Sequence, residues 1–336
     1  MSSVNILAIE SSCDETAAAV VADGRRVLSN IIHSQIDIHR AYGGVVPEIA
    51  SRNHIMKVDM VVAEALAVAN ISISDIHAIA VTNGPGLVGA LLVGLNFAKG
   101  LCFARDLLLI GVHHIEGHIC SNYLENPEWM PPYAALVVSG GHTHLVHVRN
   151  YGDYALLGRT RDDAAGEAFD KVARSLGLPY PGGVEIDKLS KIGNPTAIAF
   201  PKTMLEADSL DFSFSGLKSA VLNHINSQQM AGRDIIKPDI AASFQHVLVD
   251  VLVQKSLAAA ERIGTDKLAI AGGVAANSAL REKMAAACDS RGIRLNIPPP
   301  IFCTDNAAMI AACGYYKHIR GHRDDLSLNA YPSMPL

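Results

Sequence analysis

The sequence predicts an α/β protein built from two duplicated halves, and three observations predict this fold class. Of its 336 residues, 49% are hydrophobic and 18% are charged, a composition that suits buried parallel strands covered by helices. The length is typical of two domains rather than one. The same order of strands and helices is also predicted twice along the chain. Each half therefore forms a mixed sheet with helices on both faces.

Hydrophobic periodicity and turn residues place the elements of each half. Asp23-Gly24 is a hairpin turn between the second and third strands. In the first half we predict strands at 5–10, 16–22 and 27–33, a helix at 47–69, a strand at 76–82, a helix at 86–104, a strand at 107–112 and a helix from about 113. In the second half we predict strands at 133–139, 144–148 and 154–157, a helix at 240–263, a strand at 267–271, a helix at 277–291, a strand at 293–297 and a helix at 305–320.

This element order predicts one lobe at 1–125 and a second at 126–336, with a cleft between them and the last helix free to cross back. Residues 158–237 have no counterpart in the first half, and we expect a mostly helical insertion there. With turns at 10–16 and 139–143 placed to hold phosphates, and 272–277 placed near adenosine, the architecture resembles the actin-like ATPase superfamily of sugar kinases, Hsp70 and actin.

Charge and cysteine content narrow the class of protein further. The net charge of −5 argues against a protein that grips a polyanion alone, so a partner or a local basic patch would have to bind nucleic acid. The six cysteines form no C-x-x-C pair, which favours a reducing compartment. The sequence has no signal-peptide pattern and no uninterrupted apolar run of about 18 residues. We therefore expect a cytoplasmic protein that does not insert in a membrane.

Two glycine-rich turns are candidates for nucleotide binding. The turn from Ser139 through Gly140 and Gly141 lets backbone N–H groups approach a phosphate, although a plain β-turn would look the same. The Gly272-Gly273 pair before a helix supports the phosphate-binding interpretation, since a helix start offers free N–H groups. The side chain of Asn277 could bind adenine or ribose, or it could cap the helix.

Two histidines and a distant aspartate are the sharpest signal for a metal. His114 and His118 are four residues apart and share one helical face, although such pairs also arise by chance. Asp305 precedes the last helix of the second half, at the position that matches His114 in the first. Two imidazoles and one carboxylate with open positions suit Fe(II) or Zn(II).

A zinc protease is the alternative for this histidine pair. Its H-E-x-x-H motif places glutamate directly after the first histidine. Here Glu116 lies two residues after His114, roughly opposite the histidine face at about 100° per residue. This spacing disfavours the protease.

Other carboxylates are candidates with ordinary alternatives. Asp14 and Glu15 in the first turn could act as a general base or position water, or they could be solvated turn residues. Asp170 and Asp187 flank Gly183 in the insertion. They could bind ribose hydroxyls or be exposed helix residues.

Across nearly its whole length the sequence resembles one family, the bacterial branch of the tRNA N6-adenosine threonylcarbamoyltransferases (TsaD), once called O-sialoglycoprotein endopeptidases (Gcp). Seven motifs carry the resemblance: IESSCDET at 9–16, VPEIASR at 46–52, NGPGL at 83–87, HIEGH at 114–118, VSGGH at 138–142, DDAAGEAFD at 162–170 and FSFSGLK at 212–218.

The resemblance implies an enzyme that moves a threonylcarbamoyl group from threonylcarbamoyl-AMP to N6 of adenosine 37 in tRNAs reading codons that start with A, releasing AMP. It implies that His114, His118 and Asp305 hold one Fe(II) or Zn(II) ion and that Asp14 and Glu15 lie near the reacting centre. The substrate-binding residues it implies are Val137, Val138, Ser139, Gly140, Gly141, Asp170, Gly183, Asp187 and Asn277.

The resemblance also implies partners. The bacterial branch works with tRNA, a silent TsaB-type paralogue and a small TsaE-type ATPase. The helices predicted at 47–69 and 86–104 are candidates for the paralogue contact, unless they only cover the sheet. Val137 stands where the archaeal and eukaryotic branch has a metal-binding tyrosine, so a water or substrate oxygen would fill that place.

Two other functions fit the same fold. A small-molecule kinase usually begins with an Asp-x-Gly turn, whereas this chain has Glu10-Ser11-Ser12. A scaffold that binds nucleotide without chemistry would not need a complete set of metal ligands.

Overall fold

A computed structural model describes residues 3–202, 206 and 208–336, which form two compact units. Of these described residues, the first unit contains those within 3–131, 150–153 and 298–336, and the second contains those within 132–149 and 154–297. The strands are β1 Asn5–Glu10, β2 Glu15–Ala22, β3 Arg26–Ser34, β4 Ala78–Gly84, β5 Leu108–His113, β6 Tyr133–Val138, β7 Thr143–Asn150, β8 Asp153–Arg159, β9 Lys267–Ala271 and β10 Arg294–Asn296. The helices are α1 Ile36–Arg40, α2 Pro47–Ala69, α3 Val88–Arg105, α4 His114–Cys120, α5 Ala165–Ser175, α6 Gly182–Ser190, α7 Ser215–Met230, α8 Lys237–Ile263, α9 Ser278–Asp289, α10 Pro300–Cys303 and α11 Ala307–Ile319.

The first unit is a five-stranded sheet in the order β3-β2-β1-β4-β5. Strands β1, β4 and β5 are parallel, while β2 and β3 are antiparallel additions. Leu7 and Ile9 of β1 pack under α2 and α3, whereas Ile6 points to the other face and lies close to Gly314 of α11. Because side chains alternate along a strand, helices cover both faces, and the parallel strands end at one edge. That edge carries the candidate metal ligands.

The second unit is also a five-stranded sheet. Read from β8, its order is β8-β7-β6-β9-β10, which matches the order of the first sheet. Strands β6, β9 and β10 are parallel, and β7 pairs antiparallel with β6. The long helix α8 packs on β6 and β9, and it ends at Gly264, which has a φ of +67° that suits glycine. Helices α5, α6 and α7 lie in the segment without a counterpart in the first half. The equal strand orders confirm the α/β duplication that the sequence predicts.

The compact units differ in extent from the lobes predicted at 1–125 and 126–336. Residues 298–336 belong to the first unit because α11 packs on β1, β2 and β4. Of the insertion predicted at 158–237, residues 203–205 and 207 lie outside the described part of the chain. The last helix begins at Ala307 rather than 305, because the side chain of Asn306 caps it by accepting from the N–H of Met309 at 3.0 Å.

Among the described residues one helix, α3, is long and apolar enough to cross a membrane by length and composition alone. It packs against α2 and β4 inside the first unit. Apolar helices that cover a sheet inside a compact unit pack in the same way.

Candidate metal centre and substrate-binding residues

The candidate metal centre begins with the short helix α4, which follows β5 directly. His114 is its first residue and His118 lies one turn later, so both rings leave the same side of the helix. The ring centroids are 4.7 Å apart and the ring planes are nearly perpendicular, at 82°. Both side chains are buried, and His118 is fully enclosed.

Asp305 brings a carboxylate to this pair from the segment before α11. Its Oδ1 lies 3.6 Å from Nε2 of His114 and 3.2 Å from Nε2 of His118. One ligand atom from each of the three residues lies within 4.8 Å of the other two. The structure thus brings together the three residues that the sequence predicts as ligands.

A buried carboxylate behind His114 fixes the orientation of its ring. Glu10 ends β1 with no solvent exposure, and its Oε2 lies 3.3 Å from Nδ1 of His114. The hydroxyl of Thr82 and the N–H of Ser12 both donate to Glu10, at 2.5 Å each. With Nδ1 of His114 facing Glu10, its Nε2 is directed towards Asp305. This is the carboxylate–histidine arrangement that orients metal ligands in proteins.

The charges in this cluster shift the pKa values of both imidazoles. Burial lowers the pKa of His114, but the carboxylates of Asp305 and Glu10 outweigh it and raise the value to about 9. Burial lowers the pKa of His118. In the opposite sense, burial raises the pKa of Glu10 while His114 lowers it, and the net shift is downward. A cation is therefore favoured at this position.

The residues present fit a divalent ion. Within the described residues, neither ring nitrogen of His118 has a hydrogen-bond partner of good geometry, although the ring is fully buried. A buried polar atom without a partner costs about 1–3 kcal/mol, which a metal bond to Nε2 would offset. Two imidazoles and one carboxylate are a donor set for Fe(II) or Zn(II) with open coordination positions.

Glu116 takes no part in this cluster. Its Oε2 pairs with Nζ of Lys317 on α11 at 3.0 Å, and Lys317 also donates to the carbonyl of Gly111. The base of a zinc protease would have to face the metal. Glu116 faces Lys317 instead, so the structure disfavours the protease, as the spacing of Glu116 from His114 predicts.

Asp14 and Glu15 lie where β1 turns into β2. Burial, followed by the charge of Asp305, raises the pKa of Asp14. Burial raises the pKa of Glu15 to about 8, and the hydroxyl of Ser34 donates to its Oε1 at 2.8 Å. The charge of Asp305 also raises the pKa of Glu15, so this one carboxylate shifts the pKa values of both Asp14 and Glu15. Their predicted part in catalysis stays a prediction.

The second unit carries the glycine-rich turn between β6 and β7. The N–H of Ser139 donates to the carbonyl of His142, and the hydroxyl of Ser139 accepts from the N–H of His142. Both glycines are exposed and a Cβ added to either would meet nothing within 4 Å, although Gly166 of α5 packs closely against the backbone of Gly140. Gly272, with φ +91°, supports this turn from behind, since a Cβ there would lie 2.4 Å from the carbonyl oxygen of Val138.

The other predicted substrate residues of this unit already have partners inside the protein. Asp170 on α5 accepts from the N–H of Gly182, and Asp187 on α6 accepts from the hydroxyl of Ser278. Asn277 caps α9 by accepting from the N–H of Leu280, and its amide donates to Gln245. Gly183 lies in the first turn of α6, and Val137 and Val138 are buried in β6. The structure brings the Val138 end of β6 beside the Gly272 turn.

Comparison with solved structures agrees on the fold. Full-length HypF, crystallised in a phosphate- and nucleotide-bound form, superposes with a TM-score of 0.62 at 13% identity, over 94% of this chain and 55% of that one. HypF from T. kodakarensis gives a TM-score of 0.66 at 14% identity, over 95% and 48%. These structures show that the chain has the actin-like ATPase fold, and its residues His114, His118 and Asp305 could hold a metal ion.

Sequence comparison identifies the family. The family model of tRNA N6-adenosine threonylcarbamoyltransferase (TsaD) matches residues 26–312. A Clostridium botulinum protein of that name is 59% identical over 334 residues, which is 99% of this chain and 98% of the relative. One from Clostridium perfringens is 59% identical over 331 residues, 98% of each chain. The chain belongs to this family, and the relatives do not favour the kinase or scaffold alternatives.

Two residues of the site were not assigned a role from the sequence. Glu10 is the last residue of the buried strand β1, and its contact with His114 becomes visible only in the fold. His113 precedes the histidine pair, and its ring accepts from the N–H of Ile115 at 3.1 Å. The only signal for His113 is three histidines within six residues, which does not separate ligands from supporting groups.

Proposed function

We propose that this protein transfers the threonylcarbamoyl group of threonylcarbamoyl-AMP to N6 of adenosine 37 in tRNAs that read codons starting with A. The observation that carries the proposal is the cluster of His114, His118 and Asp305 in a chain that is 59% identical to enzymes named for this reaction. Here N6 attacks the carbamoyl carbon, the bond from that carbon to the phosphate oxygen breaks, and AMP leaves. One proton of the N6 amine goes to a base.

An adenine amine needs help as a nucleophile, because its lone pair is delocalised into the ring. A divalent ion held by His114, His118 and Asp305 would supply Lewis acidity towards the threonylcarbamoyl oxygens. Glu10 keeps Nε2 of His114 available by binding its Nδ1. We propose Fe(II) as the resident ion, with Zn(II) as the alternative, and elemental analysis of the purified protein would decide between them.

Asp14 is the better candidate to accept the proton. Glu15, with a pKa of about 8, holds a proton at neutral pH, so it is a poor base before any ion binds. Burial also makes Asp14 a stronger base than an ordinary aspartate. The Asp14 carboxylate lies at the same edge of the first sheet as the metal ligands.

The second unit would hold the adenylate. The exposed backbone at Gly140 and Gly141 offers N–H groups to the phosphate, which carries the charge that develops as AMP leaves. Asp170, Gly183, Asp187 and Asn277 lie on the neighbouring elements α5, α6 and the start of α9. The side-chain contacts of Asp170, Asp187 and Asn277 within the protein hold these elements in place, and we propose that ribose and adenine bind beside them.

The proposed partners are tRNA, a TsaB-type paralogue and a TsaE-type ATPase, and the proposed compartment is the cytoplasm. One face of α2 packs on the first sheet, but the opposite face exposes Met56, Met60 and Val68 by 56–64% at four- or eight-residue spacing. Phe103 of α3 is 80% exposed. Met56 and Met60 are one turn apart and form an exposed apolar pair that suits a protein contact, and Glu64 separates this pair from Val68. Met56→Glu with Met60→Glu should abolish binding to the paralogue, whereas exposed Glu282→Lys on α9 should not.

The test of the activity is reconstitution with threonylcarbamoyl-AMP, an unmodified tRNA transcript and the partner proteins. Mass analysis of the digested tRNA should show threonylcarbamoyladenosine. His114→Ala should lower the rate at least about 100-fold, the upper end of the range for losing only an outer partner of a metal ligand, while His246→Ala, a helical histidine outside the cluster, should match the wild type. If the wild type is inactive where the Clostridium relative is active, the proposal is wrong.

A further inference from the structure

The chain segment after α11 runs beside β5 and reaches the carboxyl end of β4. We call residues 324–334 the C-terminal strap. Asp324 pairs with Leu109, and its carboxylate accepts from the N–H of Gly111 at 2.7 Å. Further on, the N–H of Tyr331 donates to the carbonyl of Asn83 at 2.8 Å. The strap is therefore bonded to the same edge of the sheet that carries the candidate metal centre.

The contact between strap and sheet leaves no room for side chains. A Cβ added to Gly84 would lie 2.5 Å from the carbonyl oxygen of Tyr331, and one added to Gly111 would lie 2.9 Å from Leu328. The N–H of Gly86 also donates to the carbonyl of Pro332. Glycine at these places lets the strap lie directly on the backbone of β4 and β5.

The strap reaches the metal-binding helix through one side chain, His113. Its Nδ1 accepts from the N–H of Ile115 at 3.1 Å, so Nδ1 carries no proton and Nε2 carries it. Nε2 lies 3.0 Å from the carbonyl oxygen of Met334 and donates to it. One imidazole thus joins the first turn of α4 to the end of the strap.

Helix α4 has only seven residues and packs closely on α11, where a Cβ added to Gly117 would lie 2.6 Å from Ile310, so its direction depends on this packing and on what holds its two ends. At its start His113 caps a free N–H, while at its end the hydroxyl of Ser121 donates to the carbonyl of His118 at 2.7 Å. Both histidine ligands lie between these two points. A small rotation of α4 would move both Nε2 atoms away from Asp305.

From these contacts we infer that His113 is a positioning residue for the metal centre, and that the strap holds it through the Met334 carbonyl. The inference rests on the proposed metal site at His114, His118 and Asp305. His113 touches neither the ion nor the substrate. It acts by fixing the start of α4, as outer hydrogen-bond partners of metal ligands do.

The test compares metal affinity with folding. Three variants are made. The first is the full-length chain with His113→Ala, and the second is a chain that ends after Ser333. The third is a control chain that ends after Pro335 and keeps the Met334 carbonyl. The dissociation constant for Zn²⁺ is measured by competition with a chromogenic chelator, the visible absorption of the Co²⁺ form is recorded, and thermal unfolding is followed without metal.

His113→Ala and the chain ending after Ser333 should each bind Zn²⁺ about tenfold more weakly, at the lower end of the 10–100-fold range for lost outer partners. Their Co²⁺ spectra should shift, because the two imidazoles change direction. Combining the two changes should weaken binding no further than the more severe change alone, since both break one linkage. The control chain should match the wild type.

His113→Asn separates the cap from the strap. Asparagine can accept from the N–H of Ile115 but is too short to reach the Met334 carbonyl. The thermal midpoint of His113→Asn should therefore be higher than that of His113→Ala, while its affinity for Zn²⁺ should be equally low. Full restoration of affinity by Asn would overturn the part assigned to the strap. Unchanged affinity and Co²⁺ spectra in all variants, with metal bound by the wild type, would overturn the inference alone. A wild type that binds no metal would overturn the proposed site as well.

Discussion

The connection between β1 and β2 and the connection between β6 and β7 occupy the same place in two sheets of the same strand order, but they are built differently. The first, residues 11–14, is mostly buried and rich in polar side chains, with Glu10 before it bonded to Ser12, Thr82 and His114. The second, residues 139–142, has two glycines with open space around them. The first connection thus presents polar side chains, whereas the second presents exposed glycines.

The difference shows how two copies of one fold can meet different requirements, one for supporting metal ligands and one for binding a phosphate. Oriented metal ligands need buried hydrogen-bond partners, because an exposed carboxylate would exchange its contact for water. A phosphate needs several N–H groups and no Cβ in the way. Each connection meets one requirement, and each can be broken without the other.

The strongest test of the first connection is Glu10→Gln. The amide keeps the size of the carboxylate but removes the charge behind His114. We expect Zn²⁺ affinity and the modification rate to fall about 10–100-fold, measured by chelator competition and tRNA digestion. Adenylate binding should stay unchanged. A variant with wild-type metal affinity would contradict the role given to Glu10.

Metal removal should affect stability through the first unit. A bound ion stabilises only the folded form, so at 100 times its dissociation constant it should add about 2.7 kcal/mol. Treatment with a chelator should therefore lower the thermal midpoint, and added metal should raise it with increasing concentration. His118→Ala serves as the control, because its midpoint should not depend on metal.

The second connection is tested by Gly140→Val. Because a side chain there meets open space, folding should be unchanged, but the side chain would stand where the phosphate is expected. We expect the KM for threonylcarbamoyl-AMP to rise about tenfold, roughly the loss of one hydrogen bond of 1–1.5 kcal/mol. Gly100→Val, also in open space but on α3, is the matched control. An unchanged KM would remove the turn from the substrate site.

The smallest expected effect is the pH dependence of stability from Glu15. Its folded pKa of about 8 lies above the ordinary 4.5, so the folded state holds a proton that the unfolded state releases. This stabilising contribution is complete below about pH 4.5 and is lost as pH rises through 8.

In the metal-free protein, Glu15→Gln should therefore flatten the fall in stability between pH 5 and pH 9, by about 1–2 kcal/mol after allowance for partial exposure. Urea unfolding at both pH values measures this, with Glu282→Gln as the control. A wild type and variant with parallel pH profiles would show that Glu15 is not held in its acid form.

Sequence patterns were sufficient for the order of strands and helices along the chain and for the three candidate ligands, because period and spacing are local signals. His114 and His118 share a helix face by spacing alone, and Asp305 followed from the repeated element order. The supporting contacts are not local. Glu10 meets His114 only because β1, β4 and β5 align in parallel, and His113 meets Met334 only because the strap folds back.

The extent of the two units was also beyond local signals. Helix α11 has the apolar pattern of any sheet-covering helix, and nothing in that pattern says which sheet it covers. Close contacts between particular residues decide which sheet α11 covers. One of them joins Gly314 of α11 to Ala80 of β4, where a Cβ added to Gly314 would lie 2.5 Å from the methyl group of Ala80.

The first unit is discontinuous in the chain, and this has a consequence for how the protein is made. During synthesis Asp305 and α11 leave the ribosome after the whole second unit, although the sheet they complete was started by the first residues. The nascent chain therefore exposes one face of β1 and β4 until the end of translation, and the second unit is free to fold earlier. The three proposed metal ligands are therefore present together only after Asp305 has been synthesised, later than every residue of the second unit.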